Sequence, residues 1–122
     1  MENQARLFKW SELPYEQLSA HIERRFVHGE SIMLAQLRLA RGAIVPLHSH
    51  HNEQVSYILE GALKFWIGAE DGEEIVVGAG EVLHLPAHLP HRAEAMEDCV
   101  ALDLFCPPRE DWINRDDAYL RG

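Results

Sequence analysis

Short apolar or alternating runs, each closed by glycine, proline or an acidic pair, follow one another along most of this chain. They are Leu18 to Val27, Ile32 to Leu39, Gln54 to Leu59, Leu63 to Ile67, Glu74 to Val77, Val82 to Leu85, Arg92 to Met96 and Cys99 to Cys106. Between them stand His28-Gly29, Arg41-Gly42, Glu60-Gly61, Asp71-Gly72, Gly78-Ala79-Gly80 and Glu97-Asp98, residues that favour tight turns. A period of two marks strands with one buried face, and about eight of them at a spacing of eight to twelve residues predict an all-β barrel or sandwich. Helical character is confined to a weak turn within Trp10 to Leu18 and to the tail Glu110 to Arg115. The tail follows Pro107-Pro108 and carries acids in its first turn, which leaves Trp112 and Ile113 for a surface. Ahead of the strands, Leu7, Phe8, Trp10 and Leu13 are expected to cover a sheet edge or a neighbouring subunit.

A chain of 122 residues with 47% apolar and 25% charged positions fits one domain, here 1–122, with a barrel core over about 18–106. Twenty acidic residues against eleven basic ones give a net charge of −9, and the basic residues cluster no further than Arg24-Arg25. A surface that tracks phosphates is thereby disfavoured, so no nucleic-acid partner is expected. The first residues contain no apolar signal core and no run approaches a bilayer span, so the expected setting is cytoplasmic, away from membranes. Cys99 and Cys106 lie seven residues apart in one predicted strand, roughly 20 Å or more in Cα separation. That is too far for a disulfide, and both read as free, buried thiols.

Histidine distribution changes the picture. Six of the eight histidines fall within residues 48–51 and 84–91. In a strand, even separations share a face, so His48, His50 and Gln54 point one way while His51 and Glu53 point the other. Two imidazoles at i and i+2 with a third from another strand suit a metal, and His91 is the natural third. Each histidine alone is as well explained by hydrogen bonding inside a barrel. Pro86 and Pro90 exclude a helical reading of His84, His88 and His91.

The spacing Gly42, five residues, His48-x-His50, three residues, Gln54, six residues, Gly61 resembles the first cupin motif, with glutamine where the family more often has glutamate. The spacing Gly80, five residues, Pro86, then His88 and His91 is similar to the second, although the family usually has glycine at the position of His88 and asparagine at that of Ala95. The resemblance implies a cupin double-stranded β-helix, or jelly roll, with His48, His50, Gln54 and His91 as ligands of one divalent transition metal. Glu53 is the rival fourth ligand, disfavoured by spacing and strand parity. Three imidazoles and an amide suit Zn, Ni, Fe or Mn. Because all four are neutral, the ion keeps its full charge and favours an anionic substrate.

Asp103 is the one charged residue of an otherwise apolar last strand. Aspartate is rare in strands, and a buried carboxylate needs a partner. Parity puts Ala101, Asp103 and Phe105 on one face, expected to look into the metal cavity, and Val100, Leu102, Leu104 and Cys106 on the other, expected to pack on a core; a solvent-facing Asp103, or one bridged to Arg92 or Arg109, is the alternative. The segment Asp103-Leu104-Phe105-Cys106-Pro107-Pro108-Arg109-Glu110-Asp111 resembles the pectin-degradation (KdgF-type) branch of the cupins. That branch converts 4,5-unsaturated uronates to their linear keto form. The likeness implies Asp103 and Arg109 as catalytic, with Arg109 also holding a sugar-acid carboxylate and Phe105 forming a wall. Other readings stay open: a cupin oxygenase or isomerase on another small acid, a non-catalytic sugar-acid-binding cupin, or a metal-free scaffold. The apolar N-terminal segment and the Ile32 to Leu39 strand further suggest a homodimer.

Overall fold

The computed structural model describes residues 3–122. Its regular structure is almost wholly ten strands: β1 Glu16–Gln17, β2 Ile22–His28, β3 Met33–Leu39, β4 Ile44–His48, β5 Glu53–Glu60, β6 Ala62–Ile67, β7 Glu73–Gly78, β8 Val82–Leu85, β9 His91–Ala95 and β10 Cys99–Cys106. They form two antiparallel sheets, ordered β1-β2-β3-β10-β5-β8 and β4-β9-β6-β7. The second sheet closes over the first as a jelly roll, which suits chains whose strands each have one apolar face. The inner faces are filled by alternate residues, among them Met33, Ala35 and Leu37 of β3, Ile58 of β5, Phe65 of β6 and Phe105 of β10. Burying a side chain such as Phe105 stabilises the fold by roughly 1.5–3 kcal/mol.

The eight expected strands are present, and two more join them. β1 is only two residues long and offers no pattern to read. β4 is interrupted by Pro46, tolerable because β4 is the edge of its sheet. β4 also corrects the idea of one strand running from His48 to Gln54. The chain leaves the four-stranded sheet at His48, bends through Ser49–Asn52 and enters the six-stranded sheet at Glu53.

Strand β10 lies in the middle of its sheet, between β3 and β5. Ala101, Asp103 and Phe105 turn into the barrel, as parity requires. The opposite face does not pack on a core: Leu104 is 40% exposed, and Leu102 and Val100 are only half-buried. The barrel has one interior, and the mixed face owns it. Cys106 is on this outer face and exposed, while Cys99 is buried; both are free.

After β10, a short helix α1, Glu110–Ile113, and a 3-10 turn at Ala118–Leu120 fold back across the open end of the barrel. Trp112 is buried rather than left on a surface, with Arg24 and Arg109 over its ring at 4.5 and 4.6 Å. The N-terminal segment contains one 3-10 turn, Trp10–Glu12. Leu7 and Phe8 stay exposed there, while the Trp10 indole N–H donates to Gln36 on β3.

Candidate functional site

His48 ends β4, His91 begins β9, and the two are register partners. His50 comes from the bend between the sheets. Ring atoms of all three lie within 4.8 Å of one another. Each imidazole is held in the same way, its Nδ1–H donating to a backbone carbonyl two residues away: His48 to Pro46 at 2.8 Å, His50 to Asn52 at 3.0 Å and His91 to Leu89 at 2.9 Å. A carbonyl only accepts, so Nδ1 carries the proton and Nε2 offers a lone pair. Burial is the largest force keeping these rings neutral, aided by the Arg109 charge and by the repulsion that protonating neighbouring rings would create; His48 is held down at about 3 and His50 at about 4, and His91 is lowered as well.

Gln54, buried on β5, completes the cluster from the other sheet. Its Oε1 sits 3.1 Å from His50 Nε2. With Nδ1 protonated, that contact sets two lone pairs face to face, which is unfavourable unless a cation lies between them. The donor set therefore fits a divalent metal. His51 and Glu53 are exposed and point away, as parity indicates even though the strand is broken. Glu53 instead meets His84 at the surface, 2.6 Å apart. His88 also lies outside the cluster. Its φ of 68° is left-handed, the conformation that glycine adopts most easily, and its N–H donates to His50 O at 2.7 Å.

Asp103 faces the same cavity, and neither Arg92 nor Arg109 bonds its carboxylate. Its partner is Ser56, whose hydroxyl donates to Oδ1 at 2.6 Å and accepts from Gln54 Nε2 at 2.9 Å. Burial pushes the Asp103 carboxyl up to about 6, with Ser56 and Arg109 opposing the rise. Phe105 packs edge-on against His50 and Trp112, at 5.8 and 5.0 Å between ring centroids. Cys99 is held as a neutral thiol, pushed up to about 11 chiefly by burial.

Arg109 is buried under the tail. Its Nε and Nη2 clamp Asp111 at 2.9 and 2.8 Å, and Nη2 also donates to the Tyr119 hydroxyl at 2.6 Å. Tyr119 stacks on His48 with centroids 4.9 Å apart. Sequence reasoning missed Tyr119, since nothing about an aromatic near the C-terminus says that the tail returns to the barrel mouth. It also missed Asn52 and Ser56. Asn52 is 1% exposed and donates to the carbonyls of Pro107 and Pro108 at 2.6 and 3.1 Å, tying the bend that carries His50 to the Arg109 segment. A serine two residues beyond Gln54 was the only signal for Ser56. The cavity is small, about 50 Å³, and lined by His48, His91, Gln54, Asp103 and Arg109, with Tyr119 as part of its roof.

A family model described as a cupin domain matches residues 35–105, more than half of the chain. Oxalate decarboxylase OxdC of Bacillus subtilis is 32% identical over 71 residues, 57% of this chain; the chain spans only 18% of that protein. An uncharacterised protein of Methanocaldococcus jannaschii is 27% identical over 88% of this chain and 87% of its own length. Among solved structures, KdgF from Halomonas sp. superposes with a TM-score of 0.81 at 28% identity, covering 89% of this chain and 99% of KdgF. A structure addressing the Mn(II) centres of the Bacillus subtilis oxalate decarboxylase superposes with a TM-score of 0.72 at 27% identity, covering 85% of this chain and 30% of that one.

Proposed function

This chain is a member of the cupin domain family, and from that premise we propose that it is a metal-dependent enzyme opening the ring of a 4,5-unsaturated uronate to the linear keto acid. His48, His50, His91 and Gln54 are the residues that would hold the ion. When bound, a divalent metal there supplies Lewis-acid stabilisation of negative charge on a substrate oxygen. The observation that carries the reading is Asp103: a buried carboxyl, pushed up to about 6, that lines the same cavity as His48, His91 and Gln54.

The net change is a proton transfer with one bond cleavage. The anomeric hydroxyl loses its proton and its oxygen forms the aldehyde carbonyl as the anomeric carbon's bond to the ring oxygen breaks, and that ring oxygen becomes the ketone as C4 of the former double bond takes a proton. A carboxyl that titrates near neutrality accepts the first proton and returns one to carbon, so Asp103 is suited to both halves. Arg109 would orient the substrate carboxylate, and Phe105 would wall off the ring; because Asp111 and Tyr119 occupy its Nε and Nη2, Nη1 is the nitrogen left to reach inward. The proposed setting is the cytoplasm, with the protein as a homodimer. No helix among the described residues is long and apolar enough to cross a membrane.

Cavity size favours a second reading, a smaller organic acid. About 50 Å³ falls well short of the roughly 300 Å³ at the low end of ligand pockets, and a compact dicarboxylate needs less rearrangement of the roof than a hexuronate does. The deciding experiment incubates metal-loaded protein, metal-stripped protein and Asp103→Asn with unsaturated galacturonate and follows loss of the ring-alkene absorbance. The uronate reading expects turnover by the first alone. Full activity in Asp103→Asn would remove Asp103 from the chemistry, and consumption of oxalate with no effect on the uronate would favour the smaller acid.

A further inference from the structure

Position 54 carries glutamine where cupin motifs more often place glutamate, and the reason lies in the next strand. Gln54 and Ser56 share the inward face of β5, and Ser56 is the register partner of Asp103 on β10. Ser56 is 1% exposed, so its hydroxyl answers to these neighbours and not to bulk water. A hydroxyl has one proton to give. Here it goes to Asp103 Oδ1 at 2.6 Å, leaving the Ser56 oxygen to accept from Gln54 Nε2 at 2.9 Å. That bond orients the amide, turning Oε1 towards His50.

We propose that Ser56 is a positioning residue that makes glutamine the side chain required at position 54, because its only proton is committed to Asp103. The chain of donors runs in one direction, from amide to hydroxyl to carboxylate. A glutamate in place of Gln54 breaks it: two carboxylates then face one proton, and one buried acceptor is left without a donor. The direction reverses if Asp103 is made asparagine, whose amide donates to Ser56 and frees the hydroxyl for a carboxylate on β5. Neutrality of the ligand set is thus imposed by an acid outside that set. The inference rests on the reading of Gln54 as a ligand, and its test separates the two.

Zinc affinity at pH 8, from competition with a chromophoric chelator, is measured for the wild type, Gln54→Ala, Gln54→Glu, Asp103→Asn and the Gln54→Glu/Asp103→Asn double variant. Electrostatics alone makes Asp103→Asn weaken cation binding in both backgrounds, since it removes a nearby negative charge. The proposal expects a reversal of sign: Asp103→Asn leaves binding unchanged or up to threefold weaker in the wild-type background, and makes it at least threefold tighter in the Gln54→Glu background. Weakening in both backgrounds overturns it. Unchanged affinity in Gln54→Ala shows instead that Gln54 is no ligand, and the coupling is then read from urea unfolding of the metal-free proteins. There the Gln54→Glu and Asp103→Asn effects on the unfolding constant are expected to be non-additive by tenfold or more. The same cycle on Ser56→Thr, which keeps a hydroxyl, must preserve that coupling, and on Ser56→Ala must cut it at least threefold. Equal coupling without the hydroxyl assigns the effect to charge repulsion and overturns the proposal.

Discussion

Asp103 concentrates the physics of the site in one residue. Its folded-state pKa of about 6 lies above the ordinary 3.8, so between those values the folded protein binds more protons than the unfolded chain. The stability this contributes is fully present below about pH 3.8 and is lost as pH rises through 6. Asparagine carries no such cost. Metal-free Asp103→Asn is therefore expected to gain stability relative to the wild type between pH 4 and pH 8, by an amount on the order of 3 kcal/mol. Paired thermal melts across that range test this, and a pH-independent difference would mean that the wild-type carboxyl titrates normally. Asn52 offers a second test. Removing its two hydrogen bonds leaves the buried Pro108 carbonyl unpaired and the more exposed Pro107 carbonyl to water, at a cost of about 1–3 kcal/mol. Asn52→Ala should lower the urea midpoint accordingly; a shift worth under about 0.5 kcal/mol would mean that water replaces the amide at no loss.

Strands β4, β5, β9 and β10 contribute the site, and the tail after β10 roofs it. What holds the tail is a buried ion pair: Arg24 on β2 donates to Asp117 at 2.6 Å and to Glu16 on β1 at 3.0 Å, while Arg121 adds a bond to each acid. Burial alone would raise the Asp117 carboxyl, but the bonds from Arg121 and Arg24 outweigh it and hold it below the usual range. The sign is opposite to that of Asp103, so this contribution stands above the ordinary carboxylate pKa and is lost on acidification. Asp117→Asn leaves the Arg24 guanidinium buried with one carboxylate partner in place of two. Breaking such a pair costs about 3 kcal/mol, and because Tyr119 lies two residues on, the roof should loosen with it. Urea unfolding at pH 7 measures the loss, and tyrosine accessibility to a neutral quencher measures the loosening. Wild-type values for both would show that the tail is held by Trp112 and Leu120 packing instead.

At the scale of the whole molecule, the outer face of the six-stranded sheet leaves several large apolar side chains exposed. Tyr57, Val82 and Leu104 are 41%, 58% and 40% exposed, and Leu7, Phe8 and Ile32 add to this surface supply at 91%, 44% and 55%. The proposed homodimer would cover part of it. Sedimentation at micromolar concentration is expected to give about twice 13.9 kDa; a single species of 13.9 kDa across that range would reject the dimer. The jelly roll, the inward face of β10 and the three-histidine cluster are all legible in the sequence, because strand alternation and motif spacing are local properties of the chain. Local pattern is also enough to place Asp103 towards the interior. It fails at the bend after His48, where a single-strand rule produces the right faces by the wrong path, and at the apolar side of β10, where hydrophobic residues stay at the surface. Only the tertiary structure joins Ser56 to Asp103, Asn52 to Pro107 and Tyr119 to Arg109. Those contacts span 47, 55 and 10 residues, and hydrogen-bond partners at such separations are chosen by how sheets close and tails return, which no local periodicity encodes.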